Sequence, residues 1–302
     1  MSASRRQRRL LLLCLATVYL VWGTSYIATR IGVTNLPPLL FGGVRFMIGG
    51  ILMLALARWR GADFAPLRAG WRHVLVMGVL SVAVCNGLQV WAMQWVTSQA
   101  AALLNASSAL WIVIFGLFGA RSHRPSSRAV AGLAIGFIGT ALLVWPSPQA
   151  GNASPLVAQL AILGACVVWA VCTIYMRNTA VELDLFAFGG AQMLLGGVLL
   201  TLAGLLRGEA AAWHPSVPGL LAMAYLVIFS SCLAYTAYWW LARHATPALV
   251  GTYSYVNPLI TAAAGFLILA ERLTPLQIGG GAVILASVLL IYWPTSGSIR
   301  RV

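Results

Sequence analysis

Ten apolar stretches, each long enough to cross a lipid bilayer, occupy almost all of this chain. The hydrocarbon core is about 30 Å thick, so one helix rising about 1.5 Å per residue spans it with about 20 apolar residues. The stretches run over 10–30, 37–57, 74–95, 99–119, 129–145, 155–176, 184–206, 217–241, 246–269 and 274–293, with short polar connectors between them. Only 8% of the residues are charged, where a water-facing surface takes about 25%. The prediction is an all-α membrane protein with ten transmembrane helices. Too little chain is left over for a separate catalytic domain in water.

The net charge of +14 comes from 19 basic residues, every one an arginine. In a soluble chain that excess would point to nucleic acid; here its placement points elsewhere. With the N-terminus in the cytoplasm, the cytoplasmic segments hold fifteen arginines, among them Arg5, Arg6, Arg58, Arg72, Arg121 and Arg300. The outer ends hold three, Arg30, Arg207 and Arg272, and Arg45 lies within span 2. By the positive-inside rule both termini are expected in the cytoplasm. The basic charge is a topology signal, and no nucleic-acid partner is expected. The basic, then apolar, start of the chain resembles a signal peptide, but its apolar run continues past Trp22 into a full span. It is read as the first membrane helix, uncleaved.

Two residue types that often carry chemistry are scattered. Cys14, Cys85, Cys166, Cys172 and Cys232 all fall inside spans without a C-x-x-C pair, and the four histidines lie at helix ends or in connectors. Neither pattern makes a metal or redox site. With no lysine in the chain, a phosphate-binding G-x-x-x-x-G-K-[ST] loop is impossible. No metal, cofactor or direct ATP drive is expected.

The sequence repeats itself. Shifted by 147 positions, 21–57 falls on 168–204 without a gap and 11 of 37 residues are identical, including Trp22 with Trp169, Arg30 with Arg177, and the pairs Gly42, Gly43 and Gly49, Gly50 with Gly189, Gly190 and Gly196, Gly197. This divides the chain into a first five-span repeat, 1–147, and a second, 148–302. Five is odd, so the second half enters the membrane from the opposite side. Inverted repeats of this kind are typical of secondary transporters, whose ligand site lies near the midplane between the halves.

The segments VWGTSYIATRIGVTNLPPLLFGGVRF and YVNPLITAAAGFLILAERLTPLQIGG, with the twofold five-span layout, resemble the ten-span EamA-type permeases of the drug/metabolite transporter superfamily. The resemblance covers nearly the whole chain and implies membrane transport, with amino acids, metabolites or drugs as cargo. It also implies a multi-pass protein of the bacterial inner (plasma) membrane. The first half departs from the family pattern: it reads Ser108-Ala109-Leu110 where a proline is usual and Arg121-Ser122-His123 where Glu-Arg is usual.

Within the spans, Arg45 is the one deeply buried charge, about 12 Å below Pro37 at the helical rise. A charge there costs at least about 2.5 kcal/mol, so it needs a partner or a wet cavity. It either clamps a substrate carboxylate or phosphate or holds backbone carbonyls of the fold. No Asp or Glu lies mid-span: Asp63, Glu182, Asp184 and Glu209 are in connectors, and Glu271 ends span 9, where an ion pair with Arg272 is expected. Export of lipophilic cations by titration of a buried carboxylate is therefore disfavoured.

Trp22, Tyr26 and Arg30 share one helix face. Counted from their helix ends, Trp22 and Trp169 fall on opposite sides of the midplane, as walls above and below a substrate. Polar and aromatic groups also gather in spans 3, 4, 8 and 9: Asn86, Gln89, Asn105, Ser108, Tyr235, Tyr238, Tyr253 and Asn257. Apolar walls with a few placed polar groups are what pockets use, and packing between helices is the competing role. Pro258 removes the helical donor for the Ser254 carbonyl and is a candidate hinge. The glycine pairs and Gly132-x-x-x-Gly136 are read as packing surfaces within one chain, so a monomer is expected, in contact with membrane lipid and a small-molecule substrate. The function expected is a permease, an exporter of small metabolites such as amino acids, working by alternating access through a central cavity. The alternative is a drug or organic-cation efflux pump; a membrane enzyme would need clustered acid–base residues that the sequence lacks.

Overall fold

The computed structural model describes residues 5–116, 127–144, 155–178, 184–245, 249 and 252–292. Glu182, Arg121, Ser122 and His123 lie outside the described residues, as do the side chains of Arg177 and Tyr255. Among the described residues there is no strand. Seven helices are long and apolar enough to cross a membrane: α1 (Arg6–Asn35), α2 (Pro38–Trp59), α3 (Trp71–Ala92), α4 (Ser98–Phe115), α6 (Leu156–Met176), α7 (Leu185–Leu206) and α8 (Val217–Leu241). Three further apolar helices, α5 (Ser127–Val144), α9 (Tyr253–Leu269) and α10 (Pro275–Tyr292), complete an all-helical membrane protein. Its outer face is apolar: Leu20, Ile51, Leu206, Leu221 and Leu267 are all exposed. A continuous apolar exterior of this kind belongs in lipid.

Local chemistry starts the helices where they start. Pro38 opens α2, where its missing N–H costs nothing. The Asp184 carboxylate accepts from the N–H groups of Phe186 and Ala187 at the start of α7, and the Ser216 hydroxyl accepts from Gly219 N–H at the start of α8. Three helices widen to π geometry partway along, over Val18–Trp22 in α1, Gly78–Asn86 in α3 and Leu226–Ala234 in α8. The second and third lie 148 residues apart, so the same widening recurs in each half. The first has no counterpart in α6, which is a continuous α-helix.

The helices meet in matched pairs. The most extensive contact is α2 on α7, followed by α5 on α10; α3 packs on α7 as α2 packs on α8, α3 on α6 as α1 on α8, and α4 on α6 as α1 on α9. Paired glycines set the α2–α7 distance. A Cβ on Gly43 would stand 2.9 Å from the Gly197 carbonyl oxygen, and one on Gly50 would stand 2.8 Å from that of Gly190. Gly43 and Gly190 are repeat mates, as are Gly50 and Gly197, so each contact is the mirror of the other. The ascending order in α2 against the descending order in α7 makes the two helices antiparallel. Gly136 plays the same part between α5 and its neighbours, where a Cβ would crowd Leu110 and Ser287.

Candidate functional site

Between α1, α2, α3, α4, α6, α8 and α9 lies a cavity of about 120 Å³, room for about four water molecules at about 30 Å³ each. It is lined by Trp22, Tyr26, Arg45, Asn86, Gln89, Asn105, Ser108, Trp169, Tyr235, Tyr253, Asn257 and Pro258. Sequence patterning points to every one of these. Tyr238 is the exception: it stands behind the wall, with its ring 4.9 Å from that of Trp22. Sequence reading missed Ser25, Thr29, Phe46, Cys85, Met93, Ser230 and Ser231, which line the space together with Ser254.

Arg45 projects from α2 between the two halves and is 7% exposed. Its Nε donates to the Ser231 hydroxyl and its Nη2 to the Ser230 hydroxyl, each at 3.2 Å, and its guanidinium lies 4.6 Å from the centre of the Phe46 ring. Both serines sit in the π-widened part of α8, which turns two successive side chains toward α2. Among the described residues no carboxylate pairs with Arg45. Neutral hydroxyls orient the cation without cancelling its charge.

The amides form a second wall. Gln89 Nε2 donates to Asn105 Oδ1 at 2.6 Å, joining α3 to α4, and Asn105 Nδ2 donates to the Ala101 carbonyl at 2.9 Å. Asn86 Nδ2 donates to the Ser81 carbonyl at 2.7 Å, a carbonyl five residues back that the π geometry of α3 leaves within reach.

Trp22 and Trp169 do not wall the space from above and below. Their ring centres are 6.1 Å apart in an edge contact, and they form one cluster with Tyr238 and Tyr253. Trp22 lies 5.6 Å from Tyr253, Trp169 lies 5.7 Å from Tyr238, and Tyr238 lies 5.7 Å from Tyr253. Trp169 Nε1 donates to the Tyr253 phenol at 3.2 Å, and Tyr19 bonds Thr252 just beyond. Three of the four rings, Trp22, Trp169 and Tyr253, line the cavity, and Tyr238 and Tyr253 lie near the end of α8 and the start of α9.

The model of the EamA-like transporter family matches twice in succession, over residues 9–145 and 156–293. The chain belongs to this family. The inner membrane transporter YedA of Escherichia coli K12 is 36% identical over 279 residues, covering 92% of this chain and 89% of YedA. The transporter YvbV of Bacillus subtilis is 27% identical over 281 residues, covering 92% of this chain and 90% of its own. A solved crystal structure shares the fold with a TM-score of 0.68 at 23% identity, covering 93% of this chain and 96% of that one. This EamA-family chain is a membrane transporter, and its relatives and apolar helices make it a multi-pass inner membrane protein.

Its few described acids are engaged away from the cavity. The expected Glu271–Arg272 pair does not form. Glu271 Oε1 accepts from Ser98 N–H at 3.0 Å, and its Oε2 accepts from the Ser98 hydroxyl at 2.7 Å and Gln99 N–H at 3.2 Å. The carboxylate thus caps the start of α4, where the helix dipole favours an anion. Ala270, in the left-handed conformation at φ 51°, ends α9 and carries the chain back to put Glu271 there. Glu209 accepts from Leu40 N–H at 2.9 Å near the start of α2, and Asp63 accepts from Ala65 N–H at 2.8 Å. Each described acid serves a helix start, and none lines the cavity. Nearby, Arg30 does not line it either; it donates to the Met93 carbonyl and ties α1 to the end of α3.

Proposed function

We propose that this chain is a secondary transporter that exports small organic metabolites such as amino acids by alternating access through the central cavity. The observation that carries the reading is Arg45: buried in the cavity wall, oriented by Ser230 and Ser231, and without a carboxylate partner among the described residues. Keeping a buried charge unpaired is expensive, and a carboxylate on the cargo would repay it. Trp22, Tyr26, Trp169, Tyr235 and Tyr253 would pack an apolar side chain, while Asn86, Gln89, Asn105, Ser108 and Asn257 would bond its polar atoms.

In this reading ten spans form two inverted five-helix repeats, 1–147 and 148–302. The two successive family matches support the division. The reciprocal glycine contacts of antiparallel α2 and α7, and the matched helix pairs, support the inversion. The arginine bias puts both termini in the cytoplasm, which turns the aromatic cluster toward the cytoplasm. Pro258 would serve as the hinge of α9, and the transporter would work as a monomer in lipid.

Counterflow in proteoliposomes, using a panel of labelled amino acids and other metabolites, tests the proposal. The parent should exchange at least one carboxylate-bearing metabolite. Arg45→Gln should lose that exchange by at least tenfold, the scale of a charge-assisted hydrogen bond. Equal exchange by both proteins would sink the clamp, and no exchange across the panel would sink the metabolite reading.

A further inference from the structure

Two polar side chains of α9 that line the cavity carry an oxygen without a hydrogen-bond partner. Ser254 and Asn257 are each 4% exposed, line the cavity, and leave Ser254 Oγ and Asn257 Oδ1 without a hydrogen-bond partner. They lie three residues apart, hence on one face of the helix. Pro258 follows directly and has no N–H, so the Ser254 carbonyl is deprived of its usual donor. One turn of α9 therefore holds two unbonded side-chain oxygens and a carbonyl without its helical donor. Burying acceptors unpaired is unfavourable unless a donor arrives.

The turn is held firmly from its other side. Thr261 donates to the Gly23 carbonyl at 2.6 Å and to the Asn257 carbonyl at 2.9 Å. A Cβ on Gly23 would stand 2.7 Å from Ile260, so α9 is pressed onto α1 just past its π segment. The oxygens are thus fixed in place before any ligand binds. Beside them, Tyr253 and Trp169 offer aromatic faces of the kind that attract a cation.

We propose that the turn formed by Ser254, Asn257 and Pro258 is the subsite for a ligand's ammonium group, in the same cavity as the Arg45 that takes the carboxylate of that molecule. This inference rests on the amino-acid reading above. An ammonium carries three N–H donors, matching three acceptors. Charge balance selects a zwitterion: Arg45 already places one positive charge in the cavity, and no described acid lines it. A sodium ion or a simple amine would add a second positive charge with nothing to offset it. A zwitterion adds no net charge and pairs each of its ends with a complementary group.

The test uses purified full-length protein, competing labelled L-phenylalanine or L-leucine against each one's deaminated acid and decarboxylated amine. The parent should prefer the amino acid over the deaminated acid by at least tenfold. Asn257→Leu should cut that preference below about threefold, and Ser254→Ala should cut it by a smaller factor. Arg45→Gln should instead erase the preference over the amine. Monodisperse elution of each variant shows that the fold survives, and Ser254→Ala serves if Asn257→Leu does not fold. Variants that keep the parent's ratio overturn the subsite and leave the carboxylate clamp standing. A parent that binds neither amino acid but exchanges other metabolites overturns the amino-acid reading, and the subsite with it. Binding that fails when sodium is replaced by N-methylglucamine in the parent, but not in Asn257→Leu, assigns the oxygens to sodium and overturns the proposal.

Discussion

A methyl group added at Gly50 should separate the two helices that form the centre of the bundle. Its Cβ would stand 2.6 Å from the backbone nitrogen of Leu194 and 2.8 Å from the carbonyl oxygen of Gly190, where ordinary contact begins at 3.4 Å. Both obstacles are main chain, so no side chain can swing aside, and α2 and α7 must part by most of an ångström. A gap of about 0.5–1 Å forfeits a quarter to a half of each dispersion contact across it. Overpacking costs about 1–3 kcal/mol, and a rigid backbone obstacle belongs at the upper end. Alanine returns about 1 kcal/mol of helix propensity, leaving a net loss of about 2 kcal/mol. At about 2–4 °C per kcal/mol for a chain of this size, Gly50→Ala should melt about 4–8 °C below the parent. The assay is tryptophan fluorescence on heating in one detergent at one scan rate, because unfolding of such proteins is commonly irreversible. Gly190→Ala meets the Gly50 carbonyl oxygen at 2.9 Å and should lose a similar amount. Gly279, with nothing within 4 Å, provides the control: its alanine variant should gain about 1 kcal/mol. Gly50→Ala melting at or above the parent would refute the close-packed α2–α7 contact.

Removing the Glu271 cap should destabilise the start of α4 by about 1–2 kcal/mol, as loss of an N-cap does. Glu271→Ala should therefore melt several degrees lower, with Glu271→Gln recovering part of the loss because it keeps an acceptor. Identical melting of Glu271→Ala and the parent would contradict the capping role. Trp22 touches the rings of Trp169, Tyr238 and Tyr253, and Cys85 lines the cavity behind it. Trp22→Ala should open a path, so that N-ethylmaleimide labels Cys85 in inside-out vesicles at least three times faster than in the parent. An unchanged rate would show that the aromatic cluster is no barrier.

Much of the cavity is legible in the sequence because polar and charged side chains inside apolar spans have few places to go. Arg45, Asn86, Gln89, Asn105 and Asn257 each need a partner or water, and a shared cavity meets that need for all of them. Ser230 and Ser231 escaped notice because serine is ordinary within a helix. What turns two adjacent hydroxyls toward Arg45 is the π widening of α8, which has no signature in residue type. The separation expected of Trp22 and Trp169 failed because counting residues gives the depth of a backbone position only. An indole reaches well beyond its Cα, and the π segment ending at Trp22 changes the phase of α1. The Glu271–Arg272 pair failed for a simpler reason. Adjacent residues point in different directions, and the left-handed turn at Ala270 aims the carboxylate at α4 instead.

The acids engaged at helix starts leave Arg45 as the sole described charge lining the cavity, and this has an electrical consequence. A potential of 100 mV acts on one elementary charge with about 2.3 kcal/mol across its full drop. In the alternating-access reading, Arg45 contributes its charge both to the empty carrier and to one loaded with a zwitterion. The field then opposes one step as much as it favours the other, no net charge moves over a cycle, and the concentration gradient alone sets the direction of net flow. An anion would cancel the charge on the loaded leg only, making its transport generate current. Charge displacement on a supported membrane, recorded with an amino acid and then with its deaminated acid, would separate these two regimes in a single protein.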